Sequence, residues 1–197
     1  VDGKADLIFN FGCDYQRGAL PVPFSNLDAQ RHRPVPIAQF GLIHLVGVRF
    51  KPGGLTAFLP MPMHEISDQH LDLPTIFGKS ACDLENRLYD SASDTRQQAN
   101  LLDHFFLNRL ALPPAYAWVF HTARRIESAM GGVRRATLSA EVGYSSRTVD
   151  RLFQHFFGMT PKFYARITRF HSALALLVKQ PDLVDVALTS GYYDQSH

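Results

Sequence analysis

The spacing of apolar and polar residues changes character along the chain. Over the first fifty residues the apolar runs are short, extended and bounded by Gly or Pro. Residues 5–11 (ADLIFNF) stop at Gly12, and residues 42–50 (LIHLVGVRF) are closed by Lys51-Pro52-Gly53-Gly54, so both predict strands. Gly47 inside the second run predicts a bulge. Prolines 21, 23, 34 and 36 divide the intervening segment into short extended pieces suited to sheet edges.

Beyond the glycines the period lengthens. Residues 55–59 predict a short helix and Pro60-Met61-Pro62-Met63 an extended link. Residues 73–78 lead into a helix near 81–89. Ser91-Ala92-Ser93-Asp94 punctuates before another helix at about 95–110. The stripe of that helix is Leu101, Leu102, Phe105, Phe106, the stem of Arg109 and Leu110, which reads as core packing, with a dimer seam as the alternative. Pro113-Pro114 marks a boundary between a β-rich N-terminal domain with a helical extension, residues 1–112, and an all-α domain, residues 115–197. The fold class expected is α+β.

The helical half carries the densest pattern. Leu138 and Val142 share a helical face, and Gly143 supplies the left-handed residue that ends a helix abruptly. Tyr144 is placed to pack into the angle between helices, and Ser145 or Ser146 offers a cap to the next helix, residues 146–157. Its buried stripe is Val149, Leu152, Phe153 and Phe156, which leaves Arg147, Thr148, Asp150, Arg151 and Gln154 on the free face. Two arginines one turn apart in the N-terminal half of a helix suit base edges and phosphates in a major groove. Residues 138–145 (LSAEVGYS) return as residues 186–193 (VALTSGYY), with matching apolar, small and Gly-aromatic positions. Between the copies, Thr160 caps and Pro161 opens a helix expected to reach Lys179, a rod of roughly 28 Å at about 1.5 Å per residue. DNA presents its major groove about every 34 Å, so such a rod could set two readers into successive grooves.

Gly143-Tyr144-Ser145, Leu152-Phe153, Gly158-Met159-Thr160-Pro161, Tyr164, Arg169, Ala173, Leu176-Leu177, Val186-Ala187 and residues 191–197 (GYYDQSH) together resemble the tandem helix-turn-helix domain of AraC-family transcription regulators. The resemblance covers about the last eighty residues. It implies a double-stranded DNA partner, read by Ser146, Arg147, Asp150 and Arg151 in the first motif and by Gln195, Ser196 and His197 in the second. RNA polymerase is a further partner of such a regulator. Ser139 stands where the family usually has Ala, and Asp150 sets a carboxylate toward phosphates, which costs affinity unless it accepts from a cytosine amino group or steers an arginine. The chain stops at His197 as the second recognition helix begins, and it opens almost directly on a strand. Residues are therefore expected to be missing at both ends, with weak DNA binding by residues 1–197 alone. The N-terminal layout, DLIFNFG then VGVRFKPGG then helices, resembles a cupin-like sensory domain. This implies a small-molecule effector of unnamed identity, or homodimerisation.

Charge supports this division. Residues 1–114 hold ten Lys/Arg against twelve Asp/Glu, whereas residues 115–197 hold ten against six, an excess that fits a phosphate partner and equally a solvated basic face. Cys13 and Cys82 lie far apart without a C-x-x-C pair, so reduced thiols are expected, and a thiolate-zinc repair chemistry lacks its ligands. No run reaches eighteen apolar residues and no leader pattern opens the chain, so a cytoplasmic protein with no membrane partner is expected.

Four side-chain groups are candidates for other chemistry. Arg49 ends an apolar strand and is a candidate anion partner, with a solvated rim arginine as the alternative. His64, Glu65, Asp68, His70 and Asp72 make a ligand-rich segment, but six-residue His spacing in a polar loop is unspecific, and no metal or cofactor is assigned. His44 could line a pocket or sit hydrogen-bonded in the core, while His121, His155 and His171 are scattered over the helical half. No Ser-His-Asp grouping, P-loop or dinucleotide fingerprint is present, and no enzyme is expected. The alternatives to a transcription regulator are an effector-binding or interaction module that no longer binds DNA, and a DNA-repair enzyme with an AraC-type reader.

Overall fold

The computed structural model describes residues 1–22, 25–179 and 182–192. The architecture is α+β: a sheet-bearing N-terminal region precedes a helical C-terminal region, and the chain passes from one compact unit to the other between Pro113 and Pro114. No helix among the described residues is long and apolar enough to cross a membrane.

The first unit is organised on β1 (Ala5–Asn10), whose Leu7 and Phe9 are wholly buried. It is followed by β2 (Tyr15–Arg17), β3 (Leu20–Pro21), β4 (Asn26–Asp28), β5 (Ile37–Gln39), β6 (Leu45–Phe50) and, later in the chain, β7 (His70–Asp72). The strands form two antiparallel sheets, one four-stranded in the order β6-β1-β4-β7 and one three-stranded in the order β3-β2-β5.

Two strand expectations are corrected. The run expected over 42–50 is a regular strand only from Leu45, and β1 stops before Phe11. Backbone contact between the two segments runs on beyond these ends, with Phe11 N donating to the His44 carbonyl and Cys13 N to the Leu42 carbonyl, both at 2.8 Å. Beside it, Asn10 Oδ1 accepts from Gly12 N at 3.0 Å and its Nδ2 donates to the Cys13 carbonyl at 2.9 Å, so the backbone is irregular here without separating from its neighbour. Gly47 makes no bulge. It lies opposite Ile8 in an unbroken register from Ala5↔Phe50 to Asn10↔Leu45, and a Cβ there would sit 3.0 Å from the Leu7 carbonyl oxygen. Close approach of the neighbouring backbone is what calls for a small residue.

The helical part of this unit also differs in detail. The expected helix over 55–59 is a 3-10 turn, Gly54–Ala57, and the expected extended link ends early because Met63 opens α1 (Met63–Ile66). Then come α2 (Leu73–Phe77), α3 (Lys79–Asp90) and α4 (Thr95–Leu107). The stripe on α4 is core: Phe105 and Phe106 are buried, with ring centroids 5.5 Å from Phe77 and 5.3 Å from Phe50 respectively. Leu110 falls beyond the helix and is exposed, whereas the Arg109 guanidinium lies 3.7 Å above the Phe105 ring and donates to Ser80 Oγ.

Side chains singled out for other chemistry are occupied structurally. Arg49 faces Asp6 across β1 and β6 and donates to both of its carboxylate oxygens, at 2.8 and 3.0 Å, so its fork is filled from within the sheet. Asp68 accepts from the backbone and ring of His32, and Asp72 caps α2 by accepting from Thr75 N at 3.1 Å. Among the described residues no three His, Cys, Asp or Glu side chains are grouped to hold a metal. His44 lies outside the strand, half-buried with its ring edge against Phe11. Cys13 and Cys82 are free thiols.

The second unit comprises α5 (Tyr116–Ser128), α6 (Arg135–Val142), α7 (Ser146–Phe157), α8 (Pro161–Leu177) and α9 (Leu183–Thr189). Its core gathers Val119, Ala123 and Ile126 of α5, Leu138 of α6, Phe153, Phe156 and Phe157 of α7, and Tyr164 and Ile167 of α8 around Met159. Phe153 and Phe157 stack with centroids 4.3 Å apart. The Tyr164 hydroxyl, buried in this cluster, donates to Glu127, and burial followed by that donation holds the phenol well above its ordinary pKa.

Candidate nucleic-acid interface

Local sequence chemistry sets the angle between α6 and α7. Gly143 ends α6 with φ 70°, a conformation that costs an L side chain strain, and Tyr144 N returns to the Ser139 carbonyl at 3.3 Å. The chain reverses at once. Ser145 adopts an extended conformation and its Oγ accepts from Thr148 N at 3.2 Å, capping α7. Tyr144 does not fill the angle between the helices. Leu138, Val149 and Phe153 are buried there, so Tyr144 turns outward, 46% exposed, with its ring 5.0 Å from Trp118 of α5.

With Val149, Phe153, Phe156 and Phe157 buried and Leu152 half-buried, the opposite face of α7 is fixed. Ser145, Arg147, Thr148, Asp150, Arg151 and Gln154 line a shallow open groove of about 400 Å³ along it. Arg147, Arg151 and Gln154 are exposed, and the side chains of the two arginines form no hydrogen bond or ion pair among the described residues. Both therefore present their guanidinium forks outward.

The other two residues expected to read in the first motif are engaged. Ser146 Oγ is 2.9 Å from Ser139 Oγ, which braces α7 against α6. Asp150 Oδ2 accepts from Arg135 Nη1 at 2.8 Å. Arg135 was not singled out from the sequence, because its partner lies fifteen residues away on the next helix. Thr148 and Gln154 were placed on this face by helical spacing alone.

The second motif repeats the first. Asp182 caps α9 by accepting from Val184 N at 2.8 Å, Val186 is buried at 4% exposure, and Gly191 takes φ 73°. Tyr192 N then returns to the Ala187 carbonyl at 2.9 Å, as Tyr144 N does to Ser139. Leu138, buried at 3% exposure, is the counterpart of Val186. Gln195, Ser196 and His197, expected to read DNA from this motif, lie outside the described residues.

The rod between the motifs begins as expected. Thr160 Oγ1 accepts from Phe163 N at 3.2 Å and Pro161 occupies the first turn. It ends at Leu177 rather than Lys179. Its seventeen residues span about 25 Å. An ion pair braces the first motif from behind, with Arg125 of α5 donating to both oxygens of Glu141 at 3.1 and 3.0 Å. Hydrogen bonding to Glu141 raises the Arg125 pKa, and the same contact lowers that of Glu141.

Residues 138–197 match the family model of a helix-turn-helix domain, and residues 1–72 match that of a domain of unknown function (DUF6597). No curated protein and no solved structure matches the chain. The first match supports a DNA-binding transcription regulator of the AraC type. The second describes the N-terminal region without giving it a role.

Proposed function

We propose that this protein is a sequence-specific transcription regulator. In this reading α7 enters the major groove of double-stranded DNA, Arg147 and Arg151 meet base edges or flanking phosphates, and Gln154 extends the contact along the same face. The observation that carries it is the pair of exposed, uncommitted guanidinium groups one turn apart on a helix held rigidly behind the Gly143 turn. The second turn at Gly191 supports a tandem reader, with Gln195, Ser196 and His197 contacting a further set of base pairs. Asp150 contributes by holding Arg135 beside the groove.

The N-terminal region serves as the sensory or dimerising part, with a cupin-like arrangement and a small effector as its ligand. Its two antiparallel sheets are compatible with that role. Such a regulator works in the cytoplasm, recruits or hinders RNA polymerase, and catalyses no reaction.

The test is binding to DNA from the protein's own upstream region, followed by fluorescence anisotropy. Arg147→Ala and Arg151→Ala should each lose about 1 to 3 kcal/mol of specific binding if they meet bases. If they meet phosphates, the loss should be uniform across sequences, with a shallower salt dependence. Affinity for the upstream region unchanged by both substitutions would remove the assignment.

A further inference from the structure

A second basic feature lies in the helical unit, beside the outward face of α7. The turn after α5 is fixed by a Schellman arrangement in which Met130 N donates to Glu127 O at 2.9 Å and Gly131 N to Ile126 O at 2.8 Å. Gly131, at φ 77°, is pressed so closely on α8 that a Cβ would come within 2.2 Å of the Ala165 carbonyl oxygen. Between this turn, the start of α6 and the first half of α8 lies a pocket of about 320 Å³. Its wall carries Arg134, Arg135, Lys162, Arg166 and Arg169, and no carboxylate lines it.

The cations are arranged rather than merely near one another. Arg169 is held by donating to the Gly131 carbonyl at 2.9 Å, and its buried Nε has no hydrogen-bond partner. Arg134 stands at the N-cap of α6 without a side-chain cap, so the first-turn N–H groups of that helix add to the positive field. Arg134, Lys162 and Arg166 are exposed at the rim. Like charges gathered this way repel in the absence of an anion. Arg135 is paired with Asp150, and the other four, with no acid lining the pocket, match a group that carries several acceptor oxygens and more than one negative charge.

We infer that this pocket binds a phosphate group. Arg135 makes the backbone of bound DNA its source, because the residue lines the pocket while donating to Asp150, which lines the groove beside Arg147 and Arg151. Positive charge thus runs from the reading face to the pocket. A duplex lying on α7 would place a flanking phosphate of one strand at the mouth formed by Arg134, Lys162 and Arg166. This source rests on the proposed DNA-reading role of α7, whereas the phosphate chemistry of the pocket does not.

The full chain is titrated with fluorescent duplexes of upstream and scrambled sequence at several KCl concentrations, and separately with pyrophosphate by calorimetry. Lys162→Ala/Arg166→Ala should weaken both duplexes about fivefold or more at low salt and lower the logarithmic salt slope by about two. Arg124→Ala, which removes a charge from α5, should change affinity less than twofold by the same electrostatic reasoning. Far-UV circular dichroism and melting confirm that each variant is folded. Unchanged duplex binding, with pyrophosphate bound by the wild type and lost in the double variant, would keep the phosphate site and assign it to a free phosphate compound. A double variant that matches wild type in both titrations, or an Arg124→Ala loss as large as that of the pocket variant, overturns the inference. Failure of the DNA reading itself shows separately, as insensitivity to Arg147→Ala and Arg151→Ala with pyrophosphate binding intact.

Discussion

Arg135 Nη1 donates to Asp150 Oδ2 at 2.8 Å, joining the first turn of α6 to the outward face of α7. A carboxylate on the face proposed to meet DNA would repel phosphates, and this pair supplies the compensating charge from within the domain. The pair is largely solvent-exposed, so its own contribution to folding is under about 1 kcal/mol. Its consequence is electrostatic. Asp150→Ala should leave the melting temperature nearly unchanged, strengthen binding to all duplexes alike, and steepen the salt dependence, because Arg135 is released to the DNA. Anisotropy titrations over a range of KCl check this. A loss confined to one operator position would instead mean that Asp150 accepts from a cytosine amino group.

Three glycines with similar backbone angles should respond differently to the same substitution. Gly143 and Gly191 have φ values of 70° and 73°, and among the described residues a Cβ on either meets nothing within 4 Å. Alanine there carries only the left-handed penalty, about 1 to 2 kcal/mol. Gly131 has φ 77°, and its Cβ would in addition strike the Ala165 carbonyl oxygen at 2.2 Å. Gly131→Ala must therefore part the turn from α8 and should destabilise the helical unit by several kcal/mol more than the other two, on the order of overpacking costs. Urea unfolding followed by Trp118 fluorescence ranks the three variants. Equal costs would show that the turn is not pressed on the helix as described.

The legibility of the chain followed the range of the interactions involved. The Gly143 and Gly191 turns, the Ser145 and Thr160 caps and the stripe of α7 depend on residues within one helical turn, and the sequence carried them directly. The continuous ladder between β1 and β6 was harder to foresee. Beyond it the Asn10 side chain bonds to Gly12 and Cys13 while Phe11 and Cys13 still donate to the His44 and Leu42 carbonyls, a mixture of local and cross-strand bonds that apolar content does not reveal. Helix α5 is not among the elements expected, although its Val119, Ala123 and Ile126 recur at helical spacing. The basic pocket needed three separated segments to converge, and the pairing of Arg135 with Asp150 spans two helices. Neither leaves a mark at any fixed spacing. Burial of Arg17 was equally hidden: its charge is countered by Asp28, itself shared with Arg31 three residues further on.

That buried charge makes the first unit sensitive to acid. His70 lies opposite Asp28 in the β4–β7 register, and burial, then Arg31 and Arg17, lower its pKa below the ordinary 6.5. The folded state thus keeps His70 neutral where the unfolded chain takes up a proton. Stability from this group is complete above about 6.5 and declines as pH falls toward the folded value. Burial raises the Asp68 pKa, but the backbone and ring of His32 together with Arg31 outweigh it, so the net shift is downward from 3.8. Asp68 therefore adds a second loss, beginning below the unfolded carboxylate value and ending at the lower folded one. Both shifts act in the same direction. Hydrogen exchange at the Leu7 and Leu27 amides, on β1 and β4, should be constant above pH 7 once corrected for intrinsic rate. It should lose protection in two stages, one below about 6.5 and one below about 3.9. His70→Gln should flatten the first stage and Asp68→Asn the second. Protection that increases between pH 6.5 and 5 would mean that His70 is held charged by Asp28, against the direction set by Arg17 and Arg31.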